Sequence, residues 1–261
     1  MDRLSVVIIT KNGEKRIEQC LESIKWVDEI IIVDDYSQDN TVGICRKYTE
    51  KVYFRKLDSF SVQKQFGVNL ATGEWVLILD SDEILSPGLE EEIKDILKKG
   101  SSYDGFFIWR KTFYLGKWIK HSGWYVPIVR LFRRTKGKLD SRFVHEKILV
   151  DGKIGYLTEP ILHYSYQSID QHIKKLSIFT TYDAKEVLRR KINITFGNAF
   201  WYLLIKPFLV FVKKFIILRG FMDGIEGFII SVFTGLSVFL TYTKVWEYQE
   251  KKRSVKDGIS R

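Results

Sequence analysis

At 261 residues the chain has room for one large domain or a domain with an appendage, and 45% apolar residues with 15% aromatics exclude a disordered composition. The formal charge of +10 is unevenly placed: residues 110–147 hold eleven Lys/Arg against two Asp/Glu, and residues 189–261 hold thirteen against five, whereas the first hundred are acidic overall. That asymmetry asks for an anionic partner for the second half: a phosphate-bearing substrate, a lipid surface or nucleic acid.

Met-Asp-Arg-Leu-Ser at the start lacks a basic region followed by an apolar core, so no export signal is predicted. Leu4–Thr10 is a β-branched run that reads as a strand buried on both faces. Asn12-Gly13 breaks it, and Ile17, Cys20, Leu21 and Ile24 then form one helical stripe. Glu29–Val33 is a second buried strand, and Thr41–Tyr48 fits a helix capped by Asp39 or Asn40. Val52–Phe54 reads as a third strand. Val62, Phe66 and Leu70 recur at helical spacing with Gly73 as the stop. Trp75–Leu79 is the fourth strand, and Pro87 opens a helix through Leu97. After Ser102 the texture changes. Gly105–Lys111 and Pro127–Arg133 look like strands around an aromatic loop from Phe113 to Tyr125, and Asp170–Arg190 reads as a helix. Cys20 and Cys45, on predicted helices and without metal-ligand spacing, read as reduced and structural.

Strands alternating with helices predict an α/β fold with a mostly parallel sheet and helices on both faces. Ligands of such sheets bind beyond the strands' carboxyl ends. Thr10-Lys11-Asn12, Asp34-Asp35 and Asp80-Ser81-Asp82 all lie at such ends, so three polar clusters converge on one rim. Asp80, Asp82 and Glu83 within four positions raise one another's pKa unless a cation or strong donors compensate. The sequence has no Gly-x-Gly-x-x-Gly or Walker loop, which argues against dehydrogenases and ATPases.

Three ordered segments carry a resemblance: Ser-Val-Val-Ile-Ile-Thr-Lys-Asn, then Ile-Val-Asp-Asp-Tyr-Ser-Gln-Asp-Asn-Thr, then Ala71-Thr-Gly-Glu-Trp-Val-Leu-Ile-Leu-Asp-Ser-Asp-Glu83. In this order they resemble family 2 glycosyltransferases of GT-A fold, closely over residues 4 to about 100. Tyr36 and Asn40 stand where that family usually has glycines, so their loop must suit side chains. The resemblance implies a nucleotide-sugar donor and a Mg²⁺ or Mn²⁺ ion. Asp82 would hold the ion, and Asp80 the ribose or the ion's water shell. Asp34 and Asp35 would accept from base and ribose. Thr10 would line the base pocket, with Asn12 in the same nucleotide-sugar site. Lys64 would meet the nucleotide or its phosphates, or else be a solvated helix lysine.

The subgroup of lipopolysaccharide core glucosyltransferases carries a His-Glu after an Arg-Leu-Phe-Arg strand, here Val129–Arg134 followed by His145-Glu146. By that resemblance Glu146 is the base that takes the acceptor's proton, with His145 orienting it or binding acceptor. Arg130 is favoured for a donor or acceptor phosphate, and His163 for a third metal ligand. Trp118, His121, Trp124 and Tyr125 either close over a sugar or pack under the sheet. The enzyme expected is an inverting, metal-dependent glycosyltransferase of domains 1–190 (catalytic) and 191–261. The latter is amphipathic and helical, its longest uncharged piece (227–243) short of a full span, and it better fits lying on the inner face of the cytoplasmic membrane than a single tilted span or a helical subdomain packed on the core or on another subunit. Its partners would be a donor, most simply a UDP-sugar, a lipid-linked or lipopolysaccharide-core acceptor, and the membrane, but no nucleic acid. A polyprenyl-phosphate acceptor is the nearest variant. A non-catalytic membrane-bound scaffold explains the basic half but gives no reason for three acidic clusters on one rim. The tail from Glu247 reads as polar and loose.

Overall fold

A computed structural model describes residues 2–143 and 146–256. In β1 (Leu4–Thr10) all seven residues are buried, so the strand needs cover on both faces. It lies inside a parallel set with β2 (Glu29–Asp34), β3 (Val52–Phe54) and β4 (Trp75–Asp80). Ile8 sits beside Ile32 on one side and Leu79 on the other, which aligns the three carboxyl ends. Alternate residues serve opposite faces. Leu4, Val6, Ile8, Ile32, Leu77 and Leu79 join the core built with α1 (Ile17–Glu22), α2 (Thr41–Cys45) and α4 (Pro87–Lys99). Val7, Ile9, Ile31, Val33, Val76 and Ile78 join the other, built with α3 (Phe60–Leu70).

Beyond β4 the sheet turns mixed. The remaining strands are β5 (Glu83–Leu85), β6 (Gly105–Tyr114), β7 (Lys117–Trp118), β8 (Val126–Arg133), β9 (Gly137–Leu139), β10 (Ile148–Val150), β11 (Ile154–Tyr156) and β12 (Ile161–Tyr166). The main order is β3-β2-β1-β4-β8-β6-β12-β5, with β9 and β10 as a separate antiparallel pair. β8 runs antiparallel to β4 and β6, and β12 antiparallel to β5, which sets His163 beside Glu83. The expected α/β sheet with helices on both faces is therefore present. The helix predicted to Tyr48 stops at Cys45 and continues as turns.

The chain divides into two compact units, one holding residues up to Phe113 with Tyr125–Ser165, the other Tyr114–Trp124 with Tyr166 onward. The second unit contains α5 (Ile169–Arg189), α6 (Phe196–Phe200), α7 (Lys206–Val212) and α8 (Gly224–Lys256). π-helical turns at Trp201–Ile205 and Lys213–Ile217 make 196–217 one rod through Lys206-Pro207 and Lys213-Lys214. Pro207 directly follows the π-helical turn Trp201–Ile205, where the hydrogen-bond ladder is already shifted out of its i to i−4 pattern. The break comes later, at Arg219 (φ 55°) and Gly224 (φ 71°). The residue-190 boundary expected from sequence falls inside this unit because α5 packs along α8: His172 stacks on Phe233 at 4.2 Å, and Ala184 is buried with Tyr242 and Val245. The tail expected to be loose is helical through Lys256. By length and composition Gly220–Ser254 is apolar enough to cross a membrane, longer than the uncharged piece visible in sequence because the helix runs on past Lys244.

Candidate active site

The carboxyl ends of β1, β2 and β4 bring the three acidic or polar clusters to one lip. Asp34, fully buried, accepts from the Ser37 amide at 2.7 Å and from its hydroxyl, closing the turn after β2. Asp35 accepts from Lys11 Nζ at 2.7 Å and from the Leu57 amide at 2.9 Å. Asn12 accepts from the Gln38 amide and its own amide donates to Ser37, tying the loop after β1 to the loop after β2. Tyr36 takes a left-handed φ of 52°, a strained region for an aromatic residue, and its half-exposed ring leans on Phe54 at 5.8 Å. The Thr10 hydroxyl is buried with no hydrogen-bond partner among the described residues.

A chain of alternating charge runs along the end of β4. Lys64, 3% exposed, reaches from α3 to Asp80 Oδ1 at 2.7 Å and Glu146 Oε1 at 2.6 Å. Arg130, on β8, meets Asp80 Oδ2 at 2.8 Å and Glu83 Oε1 at 3.0 Å, with Arg110 3.8 Å from the same Glu83 oxygen. Burial alone would push Asp80 up, but Lys64 and Arg130 outweigh it and hold its carboxyl well below the usual range. Burial likewise pulls Lys64 down, and Asp80 with Glu146 reverses that, keeping the ammonium charged. Burial, then the charges of Glu83, Asp82 and Asp80, push the Cys20 thiol well up, which removes it as a nucleophile.

Asp82 follows Asp80 at the same strand end. Its Oδ1 lies 3.5 Å from His163 Nε2, while His163 Nδ1 meets the Thr112 hydroxyl at 3.3 Å. A carboxylate oxygen and an imidazole nitrogen thus face each other at the lip.

The model of glycosyl transferase family 2 matches residues 5–195. The chain belongs to glycosyl transferase family 2. It is 30% identical to an uncharacterised glycosyltransferase of Rickettsia typhi, over 98% of this chain and 90% of that protein. It is 27% identical to the lipopolysaccharide core biosynthesis glycosyltransferase LpsC of Rhizobium meliloti, over 98% of this chain and 97% of LpsC. Among solved structures it resembles a mannosyltransferase of Pyrobaculum calidifontis, in complex with GDP-Man and Mn²⁺, with a TM-score of 0.50 and 13% identity over 94% of this chain and 87% of that one. That likeness is one of fold, in accord with the expected GT-A architecture.

In this family 2 glycosyltransferase Thr10, Asn12, Asp34, Asp35 and Asp80 lie at the strands' carboxyl ends, ion pairs join Lys64, Arg130 and Glu146 to Asp80, and His163 lies against Asp82. Their engagements differ. Lys64 is neither solvated nor open for phosphate alone, since it bridges Asp80 and Glu146. Arg130, expected on a phosphate, is held by two carboxylates. Asp80, expected at the ribose or the ion, has both oxygens on cations. Among the described residues no three His, Cys, Asp or Glu side chains converge as a metal cage, so Asp80, Asp82 and His163 do not meet together. Asp82 and His163 do meet, and a carboxylate with an imidazole suits Mn²⁺ or Mg²⁺ when diphosphate oxygens complete the shell. His145 lies outside the described residues. Of the aromatic loop, Tyr125 stacks on Trp109 of β6 at 4.8 Å. Tyr114, Ile119 and Trp124 pack with Ile230 in the helical unit, and His121 binds Asp223.

Sequence reasoning assigned nothing to Glu83, yet it is fully buried, accepts from the Asp80 amide at 2.9 Å and anchors Arg130. Its signal was the fourth position of Asp-Ser-Asp-Glu, an acid too close to the others to be solvated independently. Arg110 and Thr112 carried no signal, because only the β6–β12 pairing brings them to the lip.

Proposed function

We propose that this glycosyltransferase moves a sugar, with inversion, from a nucleoside-diphosphate donor to a hydroxyl of a lipopolysaccharide-core or other lipid-linked acceptor at the cytoplasmic face of the membrane. UDP is the nucleotide favoured. The observation that carries the reading is the Glu146–Lys64–Asp80 bridge beside the Asp82–His163 pair, which supports reading Glu146 as a base next to a diphosphate site.

Glu146 accepts the acceptor hydroxyl's proton as the oxygen attacks the anomeric carbon. The new carbon–oxygen bond forms on the face opposite the diphosphate as the old one breaks, so the configuration inverts. Asp34 and Asp35 accept hydrogen bonds from base and ribose once Ser37 and Lys11 yield, and the Thr10 hydroxyl gains its missing partner. Lys64 pairs with Glu146 before the acceptor arrives. A divalent ion held by Asp82 and His163 would neutralise charge on the departing diphosphate. Similarity to LpsC along nearly the whole chain supports the acceptor class.

The test is a screen of nucleotide sugars for transfer to core oligosaccharide and to polyprenyl phosphate, with Mn²⁺, Mg²⁺ or EDTA. Asp82→Ala is expected to weaken UDP binding in Mn²⁺ at least tenfold by calorimetry, roughly the loss of one charge-assisted contact. Glu146→Gln is expected to keep UDP binding and lower turnover about 10²–10⁴-fold, the usual span for a lost base. Wild-type turnover by Glu146→Gln would remove it as the base.

A further inference from the structure

The second unit presents the wrong surface for water. The rod over 196–217 leaves Leu204 and Phe208 (61%) exposed four residues apart on one stripe, and Ile217 exposed near its end. α8 does likewise with Ile225 at 70%, Phe228 and Val232, spaced three, four and seven residues apart. On a helix of a soluble domain the outward stripe is polar and the inward one apolar. Here both stripes are apolar, and the outward one exceeds the scattered exposure that soluble proteins tolerate.

Its occupant follows from charge and from what covers the other faces. Exposed Lys213 and Arg219 lie at one end of the helix pair; at the other Lys252 is exposed between Lys251 and Arg253, which pair with Glu247 and Glu250 and leave that end with a net positive charge. Two basic ends flanking an apolar band complement anionic headgroups around acyl chains, whereas a second copy would bring like charges together.

A transmembrane crossing is incompatible with the rest of the unit. α5 runs beside α8 from the His172–Phe233 stack to Ala184 against Val245, and Lys244 Nζ donates to Ser177 O, Thr180 Oγ1 and Thr181 Oγ1. α5 carries Asp170, Lys174, Lys175, Asp183, Lys185, Glu186 and Arg189, and each charge at a bilayer's centre costs about 2.5–3.5 kcal/mol on insertion scales. The first turn of α8 is tied to the 114–124 loop: Lys117 donates to Asp223 O and Glu226, and Asp223 accepts from the Lys120 and His121 amides. Irregular backbone of this kind does not enter hydrocarbon facing lipid.

We infer that the helical unit is monotopic: the 196–217 rod and α8 lie parallel to an anionic bilayer, their outward stripes sunk to the acyl boundary, and neither crosses it. This deepens the proposed lipid-linked acceptor and takes its purpose from it, but vesicle binding requires no sugar transfer, so the two fail separately.

The full chain is mixed with vesicles of phosphatidylcholine alone or with phosphatidylglycerol. Co-flotation is expected to be about 30-fold stronger or more with the anionic lipid and to weaken in high salt, as two or three surface lysines or arginines would give. Phe208→Glu with Val232→Glu should abolish it while leaving the melting temperature and UDP binding unchanged, since both side chains face outward. Depth is read from nitroxide-labelled single cysteines at Ile225, Val232 and Trp246, the native Cys20 and Cys45 thiols being buried. All three should sit at one shallow depth, roughly 5–10 Å below the headgroups. Depths that change steadily over the roughly 30 Å of helix between the end labels would overturn the inference in favour of a span. Dimerisation through the same positions without vesicle binding would overturn it in favour of a second copy.

Discussion

Lys64 decides more at the lip than any other side chain. It is 3% exposed, and an ammonium so placed survives only because Asp80 and Glu146 lie at 2.7 and 2.6 Å. Removing it strands two partly buried carboxylates that share it. Lys64→Met is therefore expected to lower stability by about 3 kcal/mol, within the range for breaking a buried pair, and to impair donor binding. Lys64→Arg keeps the charge and should recover most of the stability. The informative measurement is urea unfolding of Lys64→Met, Glu146→Gln and the double variant. If Lys64 stabilises chiefly by neutralising Glu146, the double variant will be more stable than the two single losses predict. Additive losses would assign Lys64 to Asp80 alone.

At the scale of elements, α3 exists at the depth that lets Lys64 reach. A Cβ on Gly67 would lie 2.3 Å from Val7 Cγ1 and 3.2 Å from Val33 Cγ2, so only glycine lets the helix settle on β1 and β2. Gly67→Val is expected to lift α3, destabilise by about 1–3 kcal/mol as overpacking does, and lengthen the Lys64 contacts. The functional readout is UDP affinity, which should fall although Gly67 touches no ligand. Unchanged affinity with lowered stability would separate α3's depth from the site. The sequence revealed β1, β2, β4, α3 and α4 because each is a long run of one period with clear stops. The strands of two or three residues, β5, β7, β9, β10 and β11, were illegible because pairing partners rather than their own pattern make them strands. The Asp82–His163 meeting depends on the β5–β12 pair, so residue types were readable there but their geometry was not. Tyr36 departs in the same way: its left-handed φ is imposed by the loop and not by a preference of tyrosine.

For the molecule as a whole, the two units carry different acid limits. In the first, Ser5, Lys51 and Thr72 donate to Glu29. Although burial opposes it, the Lys51 ammonium and these donors hold the carboxyl down at about 2. A depressed carboxyl contributes stability above its unfolded value of about 4.3 and loses it as pH falls toward 2. In the second, burial and then the charge of Lys175 lower His172 to about 4; its faces are filled by Tyr166 and Phe233, and its Nδ1 meets the Tyr114 hydroxyl at 3.0 Å. Between about 6.5 and 4 the unfolded chain binds a proton that the folded unit refuses, so stability falls as pH drops through that window. Allowing for partial screening, the loss is on the order of 2 kcal/mol. His172→Gln keeps a hydrogen-bonding side chain without the titration. Urea midpoints of the full chain, followed by far-ultraviolet circular dichroism from pH 7 to 4, should decline for wild type and stay nearly flat for His172→Gln. Parallel declines would show that the acid sensitivity in this window arises elsewhere than at the ring between Tyr166 and Phe233.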